Sequence, residues 1–195
     1  VPRPDTEALV EVALERTRAR SLYGRALDLC TGSGCVAIAF AKARPTWRTT
    51  GVDVSATATL LARENAERLG VAFCTRWLTG DLFEALRSPE RFELVTANPP
   101  YIPHGDIAGL DRDVRDFEPH LALDGGEDGL SIARNIVERA PQWLVPGGVL
   151  ALEVGHDQAE RAEALLVASG FVEVGRRRDY GGIDRIVSGV LPDRM

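Results

Sequence analysis

The chain has 195 residues, of which 45% are apolar and 27% charged, with a net charge of −6 and a pI near 5.2. It is long enough for one substantial core, so residues 1–195 are predicted to form one globular domain. The acidic balance argues against a broad nucleic-acid-binding surface. Three cysteines without metal-ligand spacing, and no apolar run long enough to span a membrane, predict a metal-free protein of the reducing cytoplasm.

Helical and strand patterns alternate along the chain, which predicts an α/β fold with a mainly parallel sheet. In the first half, a helix begins near residue 5, and further helices are expected at 35–43 and 55–69. Buried strands are expected at 26–30, 49–53, 71–77 and 92–97. In the helix at 55–69, Leu60, Leu61 and Leu69 are expected to face inward.

The second half begins with a long segment, 103–129, that lacks a clean period and is expected to lie over the functional site. A helix at 130–143, a strand at 149–154 and a helix at 159–168 should follow. Gly170 is expected to end the last of these helices. The final strands are predicted at 171–174 and 186–191.

The first predicted strand runs into a glycine-containing turn, Asp28-Leu29-Cys30-Thr31-Gly32-Ser33-Gly34, and then into a helix. Glycines let a backbone approach a ligand, and a helix N-terminus offers N–H groups and positive potential. Asp53 ends the second strand, where a carboxylate can accept both hydroxyls of a ribose. Together these features predict a site for an adenosine-containing cofactor.

These residues leave two cofactor types open. The run from Gly32 to Ala37 also fits the G-x-G-x-x-A dinucleotide fingerprint. Asp28 favours the other type, because a carboxylate is unfavourable beside a pyrophosphate but suits the cationic amino acid part of S-adenosylmethionine. Asp81 and Leu82 follow the third strand and are placed to flank the adenine, although Asp81 can equally cap a short helix at 82–86.

The fourth predicted strand ends in Asn98-Pro99-Pro100-Tyr101. The two prolines fix φ and lack N–H groups, so this turn is stiff and presents acceptors rather than donors. Asn98 adds a side-chain carbonyl, and Tyr101 adds a flat face. This set suits a planar –NH2 group that donates two hydrogen bonds, as found in an amide or in the exocyclic amine of a base.

The order of these motifs resembles the Rossmann-like, seven-stranded class I S-adenosylmethionine-dependent methyltransferases, which have a mostly parallel sheet with an antiparallel C-terminal strand. More narrowly, it resembles the HemK/PrmC family, the protein-glutamine methyltransferases that modify peptide-chain release factors. NPPY is shared with methyltransferases of adenine and guanine amines. The narrower resemblance depends on four further stretches, which are PRPDTE at 2–7, FEP at 117–119 with Ala122-Leu123, GGEDGL at 125–130, and RDY at 178–180 with Asp184-Arg185.

The resemblance implies a cofactor, a substrate and their binding residues. S-adenosylmethionine would be held by Asp28, Cys30, Thr31, Gly32, Ser33, Gly34, Asp53, Val54, Asp81, Leu82 and Asn98. The catalytic residues would be Asn98, Pro99, Pro100 and Tyr101. The methyl acceptor would be the glutamine of a Gly-Gly-Gln segment, whose amide N–H groups are accepted by the Asn98 side chain and the Pro99 carbonyl. Roles for Arg3, Thr6, Glu118 and Glu153 stay open.

The chain departs from the family pattern in two respects. The small helical N-terminal domain that helps family members engage the release factor is expected to be absent. Cys30 also stands where the family commonly has Gly, directly before Thr31. The proposed catalytic residues are unaffected by either departure.

Three other functions remain open on the sequence. A nucleic-acid methyltransferase would use the same NPPY chemistry on a flipped base, but the acidity of the chain disfavours it. A cofactor-binding partner without activity has little use for an intact NPPY turn. An NAD-dependent oxidoreductase would need a hydride-transfer constellation, and none accompanies the glycines.

Overall fold

The computed structural model describes residues 6–87, 90–110 and 119–193. Its strands are β1 (Arg25–Leu29), β2 (Arg48–Asp53), β3 (Thr75–Thr79), β4 (Phe92–Ala97), β5 (Leu144–Glu153), β6 (Val172–Arg178) and β7 (Asp184–Val190). The α-helices within the same ranges are α1 (Thr6–Arg16), α2 (Cys35–Ala43), α3 (Ala56–Arg68), α4 (Ser131–Arg139) and α5 (Ala159–Ala168).

Across the described ranges, the seven strands form one sheet in the order β3-β2-β1-β4-β5-β7-β6. β1 to β5 pair in parallel, whereas β7 is antiparallel to both of its neighbours, β5 and β6. The predicted fold class is therefore confirmed, including the antiparallel strand at the C-terminal end.

Helices cover both faces of the sheet. α1, α2 and α3 pack against one face, and α4 and α5 against the other. Side chains of β1 alternate between the two layers, with Leu27 and Leu29 in the larger core beside α4 and α5, and Ala26 beside α1 and α2. Burial on both faces explains why the central strand β4 is mostly apolar. In the described part of the chain, no helix has the length and apolarity required to cross a membrane.

Several element boundaries agree with the sequence prediction. α2 and α5 have the expected bounds, as does β4. Ser55 caps α3, because its Oγ accepts a hydrogen bond of 3.2 Å from the Ala58 N–H. Gly170 follows α5 with φ of +84°, a conformation that favours glycine and ends the helix.

The predicted inward face of α3 is wrong. Leu60, Leu61 and Leu69 are all exposed, by 55%, 45% and 44%. The buried face consists instead of the small residues Thr59, Ala62 and Ala66. Trp77 of β3 occupies the space between α3 and the sheet, and it packs in one cluster with both alanines. A bulky ring on the strand thus requires small residues on the helix.

Some strands and helices differ in extent from the prediction. β3 begins four residues later than expected, because residues 72–74 form a 3-10 helix directly after the turn that ends α3. β5 begins five residues earlier, at Leu144, and passes through Pro146-Gly147 as an irregular stretch beside a register shift. The helix expected at 130–143 ends as α4 at Arg139 and continues as a 3-10 turn, Ala140–Gln142. β6 runs on to Arg178.

Where the structure describes the segment expected at 103–129, it contains two 3-10 helices, His104–Gly109 and His120–Ala122. Residues 111–118, which include Glu118, lie outside the described residues, as does Arg3.

The strand order places the polar motifs at one edge of the sheet. From β1 the chain continues outward to β2 and β3, and then returns to the other side of β1 as β4. Because these strands are parallel, their carboxyl ends share an edge, and the reversal opens a crevice between β1 and β4. Leu29 pairs with Ala97 at this position, so the loops that begin at Cys30 and Asn98 leave the sheet side by side.

Candidate functional site

The loop after β1 has an unusual backbone. Cys30, Gly32 and Gly34 all have positive φ, at +54°, +54° and +82°. A Cβ on Gly32 would meet no atom within 4 Å, so the loop is open on that side. A Cβ on Gly34 would lie 2.8 Å from the Trp77 ring, so this glycine is required for close packing of the loop on the fold. Gly32 therefore borders open space, whereas Gly34 packs closely at the start of α2.

Asp28 lies beneath the loop and is only 2% exposed. Its two carboxylate oxygens accept hydrogen bonds from the hydroxyls of Thr31 (2.5 Å) and Thr96 (2.7 Å). Burial raises the pKa of Asp28 to about 6, although the hydrogen bonds from both threonines oppose this shift. Asp28 thus ties β1, β4 and the loop together, and places its charge under the crevice rather than in it.

Cys30, which directly precedes Thr31, has a thiol with a raised pKa. Burial raises the pKa of Cys30, and the nearby carboxylates Asp53, Asp28 and Asp81 raise it further. A thiol that stays protonated at neutral pH is a poor nucleophile. The raised pKa therefore disfavours a nucleophilic role for Cys30.

Asp53 ends β2 next to the same loop. One carboxylate oxygen accepts from the Gly32 N–H at 2.8 Å, and the other accepts from the Ser55 N–H at 2.9 Å. Each oxygen of an ionised carboxylate has a further lone pair, so both remain able to accept a hydroxyl. Val54 follows with 52% exposure and offers an apolar surface at the crevice edge.

The turn after β3 joins this group through the backbone. The Gly80 N–H donates to the Asp53 carbonyl at 2.9 Å, which brings Asp81 and Leu82 beside the end of β2. The Asp81 side chain makes no capping hydrogen bond to the 3-10 helix Leu82–Ala85, contrary to the alternative role that its position suggested. Leu82 is buried and has φ of +44°. The open space at Gly32, the acceptors of Asp53 and the apolar neighbours fit the adenosine part of a cofactor.

The Asn98-Pro99-Pro100-Tyr101 turn leaves β4 directly across the crevice. Asn98 is half-buried, and its Nδ2 donates to the Thr6 hydroxyl at the start of α1, at 3.3 Å. This contact directs the amide oxygen Oδ1 away from Thr6. Pro99 is buried, and Pro100 and Tyr101 are half-buried.

The far side of the turn is held by a segment of the long loop. Ile102 lies in a parallel bridge with Asp124, and its backbone N–H donates to the Leu123 carbonyl at 3.0 Å. Asp124 accepts in turn from the His104 ring Nδ1 at 2.8 Å. The GGEDGL motif at 125–130 continues from this bridge, so it lies behind the NPPY turn.

Asp128 fixes that motif to the helices of the far face. Its carboxylate accepts from the Leu130 N–H at 3.0 Å, from Arg134 of α4 at 2.8 Å and from Arg161 of α5 at 2.5 Å. The Leu130 hydrogen bond, followed by the contact with Arg134, lowers the pKa of Asp128. The motif therefore has a structural task that its sequence did not reveal.

The structure brings the predicted segments together. Residues 28–34, 53–54, 81–82 and 98–101 all lie at the carboxyl ends of neighbouring parallel strands or in the loops that follow them. Thr6 joins this group through Asn98, whereas Glu153 is 1% exposed within β5 and pairs with Ile186 across to β7. Sequence reasoning missed Gln158, which donates to the Tyr101 carbonyl at 2.8 Å. No local pattern linked it to a turn 57 residues away.

The comparisons with known proteins agree with this arrangement. Residues 5–110 match the family described as "Methyltransferase small domain". The structure of a release-factor-specific protein-(glutamine-N5) methyltransferase from Alicyclobacillus acidocaldarius superposes with a TM-score of 0.60 at 30% identity, covering 100% of this chain and 95% of that one. The fold and the strand-end segments thus define a Rossmann-like class I methyltransferase.

Two curated relatives narrow the class. A release factor glutamine methyltransferase from Bordetella pertussis is 46% identical, over 98% of this chain and 69% of its own length. One from Geobacter sulfurreducens is 44% identical over 97% of this chain, which spans 64% of that relative. The chain belongs to the release factor glutamine methyltransferase family.

Proposed function

We propose that this chain transfers a methyl group from S-adenosylmethionine to the side-chain amide nitrogen of the glutamine in the Gly-Gly-Gln segment of a peptide-chain release factor. The observation that carries the proposal is the hydrogen bond from Asn98 Nδ2 to Thr6 Oγ1. In this hydrogen bond the amide Nδ2 of Asn98 points toward α1, so its Oδ1 is oriented to accept a hydrogen bond from a substrate. A cytoplasmic location belongs to the proposal, because translation termination takes place there.

The residues of the β1 and β2 loops would hold the cofactor. Asp53 would accept the ribose hydroxyls, and Gly32 would allow the backbone to approach the ligand, since no neighbouring atom fills its open side. Asp28, buried beneath the loop, would supply negative potential toward a cationic ligand. When bound, S-adenosylmethionine supplies an activated methyl group on a sulfonium.

The NPPY turn would hold the substrate amide. Asn98 Oδ1 and the Pro99 carbonyl would each accept one amide N–H, while Tyr101 packs against the amide plane. An amide nitrogen is a poor nucleophile because its lone pair is delocalised into the carbonyl. Two fixed acceptors would orient the nitrogen and stabilise the positive charge that develops on it as the new N–C bond forms. The bond between the methyl carbon and sulfur would break at the same time, and its electron pair would stay on sulfur, which leaves as a neutral thioether. One proton then leaves the nitrogen to solvent.

The experiment is methyl transfer from labelled S-adenosylmethionine to a purified bacterial release factor. The matched control is the same factor with the glutamine of its Gly-Gly-Gln segment replaced by alanine, and separate reactions contain RNA or DNA. Label on the native factor alone is the expected result. Equal label on both factors, or label on nucleic acid only, would overturn the proposed substrate.

A further inference from the structure

We propose that Gln158, which lies outside the four strand-end segments, is a positioning residue that sets the direction of the carbonyls in the NPPY turn. This role deepens the proposed function and rests on it, because it concerns the same acceptors. Gln158 precedes α5 and is 3% exposed, so it is a buried polar side chain far from the strand ends in sequence.

Both polar atoms of the Gln158 side-chain amide form hydrogen bonds. Nε2 donates to the Tyr101 carbonyl at 2.8 Å, and Oε1 accepts from the Gly155 N–H at 2.9 Å. Because the amide is hydrogen-bonded at both ends, its orientation is fixed. It therefore holds the Tyr101 carbonyl at a set distance from the loop that connects β5 to α5.

Two glycines of the GGEDGL motif pack against the backbone of the NPPY turn near Tyr101. A Cβ on Gly125 would lie 2.8 Å from the Pro100 carbonyl oxygen and 2.8 Å from the Tyr101 Cα. A Cβ on Gly129 would lie 2.5 Å from the Tyr101 carbonyl oxygen and 2.4 Å from Gln158 Nε2. Real Cβ contacts are not this short, so the backbone of the motif packs directly on the turn.

The contacts of Gln158 and the two glycines restrict the backbone angles of the NPPY turn that the prolines do not fix. Pro99 and Pro100 have fixed φ, so the turn can still change direction through the ψ angles of the prolines and the peptide planes on either side of Tyr101. The plane after Tyr101 is held at both ends, by Gln158 on the carbonyl and by the Leu123 carbonyl on the residue 102 N–H, and Gly125 limits the plane before it. Without the Gln158 hydrogen bond, the plane after Tyr101 is held on its N–H side alone, so the turn and its Pro99 acceptor can shift. A misplacement of about 1 Å in such a site can reduce the rate about 100-fold.

Gln158→Glu separates the two hydrogen bonds of Gln158, one to the Tyr101 carbonyl and one from the Gly155 N–H before α5. A glutamate keeps an acceptor for the Gly155 N–H, but when ionised it cannot donate to the Tyr101 carbonyl. When protonated, it regains an O–H donor. Burial beside a carbonyl raises the pKa of a carboxyl group, which favours the protonated form as the pH falls. The variant should therefore be impaired at high pH and recover as the pH falls.

The experiment measures kcat and cofactor affinity of wild type and Gln158→Glu between pH 5.5 and 8.5. We expect kcat of the variant to be about 10- to 100-fold below wild type at pH 8.5, with the ratio to wild type rising several-fold at pH 5.5. Cofactor affinity, measured by calorimetry, should stay within about threefold. The control is Gln142→Glu, the chain's other glutamine, which is exposed and should be unaffected.

Two further readouts keep the test decisive. Gln158→Met, which removes both hydrogen bonds without adding a charge, should lose the same activity without recovering at low pH, and it replaces the glutamate variant if that one fails to fold. The NMR shift of the residue 102 amide, which shares a peptide with the Tyr101 carbonyl, should move in Gln158→Glu and return toward wild type at low pH.

The outcomes distinguish the two proposals. A wild-type chain that binds cofactor but methylates no release factor contradicts the proposed function, and the NMR shift then decides the role of Gln158 alone. Wild-type kcat in both Gln158→Glu at pH 8.5 and Gln158→Met, or an amide shift that is unchanged in both variants, would overturn the positioning role while leaving the proposed function intact.

Discussion

The two sides of the crevice are held in different ways. The cofactor side combines contacts at several sequence separations. The Thr31 hydroxyl contacts Asp28 across 3 residues, the Gly32 N–H contacts Asp53 across 21, and the Thr96 hydroxyl contacts Asp28 across 68. The NPPY side is held by more distant groups, because Asn98 contacts Thr6 across 92 residues and Tyr101 contacts Gln158 across 57. The cofactor loops are therefore partly defined by local sequence, whereas these contacts of the NPPY turn depend on tertiary structure.

The largest effect should come from Asn98→Ala, which removes one proposed acceptor of the transition state. Loss of one such hydrogen bond commonly costs about 10²–10³ in rate, so we expect kcat to fall by that factor. Cofactor affinity should stay within severalfold, because the β1 and β2 loops are untouched. Steady-state kinetics and calorimetry measure the two quantities. Asn135→Ala, at an exposed asparagine of α4, is the matched control. Equal turnover in Asn98→Ala and wild type would remove the role proposed for Asn98.

Asp28 gives the cofactor side a pH dependence of stability. Its pKa is raised from 3.8 to about 6, so the folded protein binds more protons than the unfolded chain between these values. The free energy of unfolding should therefore fall as the pH rises through about 4 to 6, by roughly 3 kcal/mol, and level off above that.

Denaturant unfolding of Asp28→Asn tests this dependence. The difference in unfolding free energy between variant and wild type should be small near pH 4 and should favour the variant near pH 8, while cofactor affinity of the variant weakens. A difference in unfolding free energy that does not change with pH would mean that ionisation of Asp28 does not destabilise the folded protein.

Asp53→Ala should affect binding rather than turnover. It removes a charged acceptor proposed for the ribose and also the partner of the Gly32 N–H. Hydrogen bonds to charged groups contribute about 1.5–3 kcal/mol, so the cofactor Kd should rise roughly 10- to 100-fold. Calorimetry measures the Kd, with the exposed Asp193→Ala as the control. An unchanged Kd would exclude Asp53 from the cofactor site.

The smallest effect concerns Cys30, whose φ of +54° is unfavourable for any residue with a Cβ. Comparison of Cys30→Gly with Cys30→Ala cancels the loss of the sulfur and isolates the backbone. The glycine variant should be about 1 kcal/mol more stable than the alanine variant. Thermal or denaturant unfolding gives this difference, and an alanine variant of equal or greater stability would contradict it.

Much of the fold could be predicted from the sequence because the pattern is local. Mostly apolar runs marked β1 and β4, and capping residues marked the start of α3 and the end of α5. The inward face of α3 could not be predicted, because it depends on Trp77, which lies on a different element and fills the space that leucines would have taken.

The positions of the candidate-site motifs in the fold could be predicted to a similar degree. The motifs at 28–34, 53 and 98–101 each lie at a strand end, and a parallel sheet brings such ends together. The supports of the NPPY turn could not be predicted, because Gln158 and the glycines of the GGEDGL motif act through tertiary contacts without a sequence period. The role of each site residue stays a prediction until variants are measured.

The most direct test locates the transferred methyl group by fragment-ion mass spectrometry, after one turnover of the cofactor-saturated chain with a release factor. A single methyl group on the side-chain amide nitrogen of the Gly-Gly-Gln glutamine is the predicted result. A methyl group on any other atom of the factor, or an unmodified factor despite bound cofactor, would contradict the central claim that the NPPY turn holds that amide.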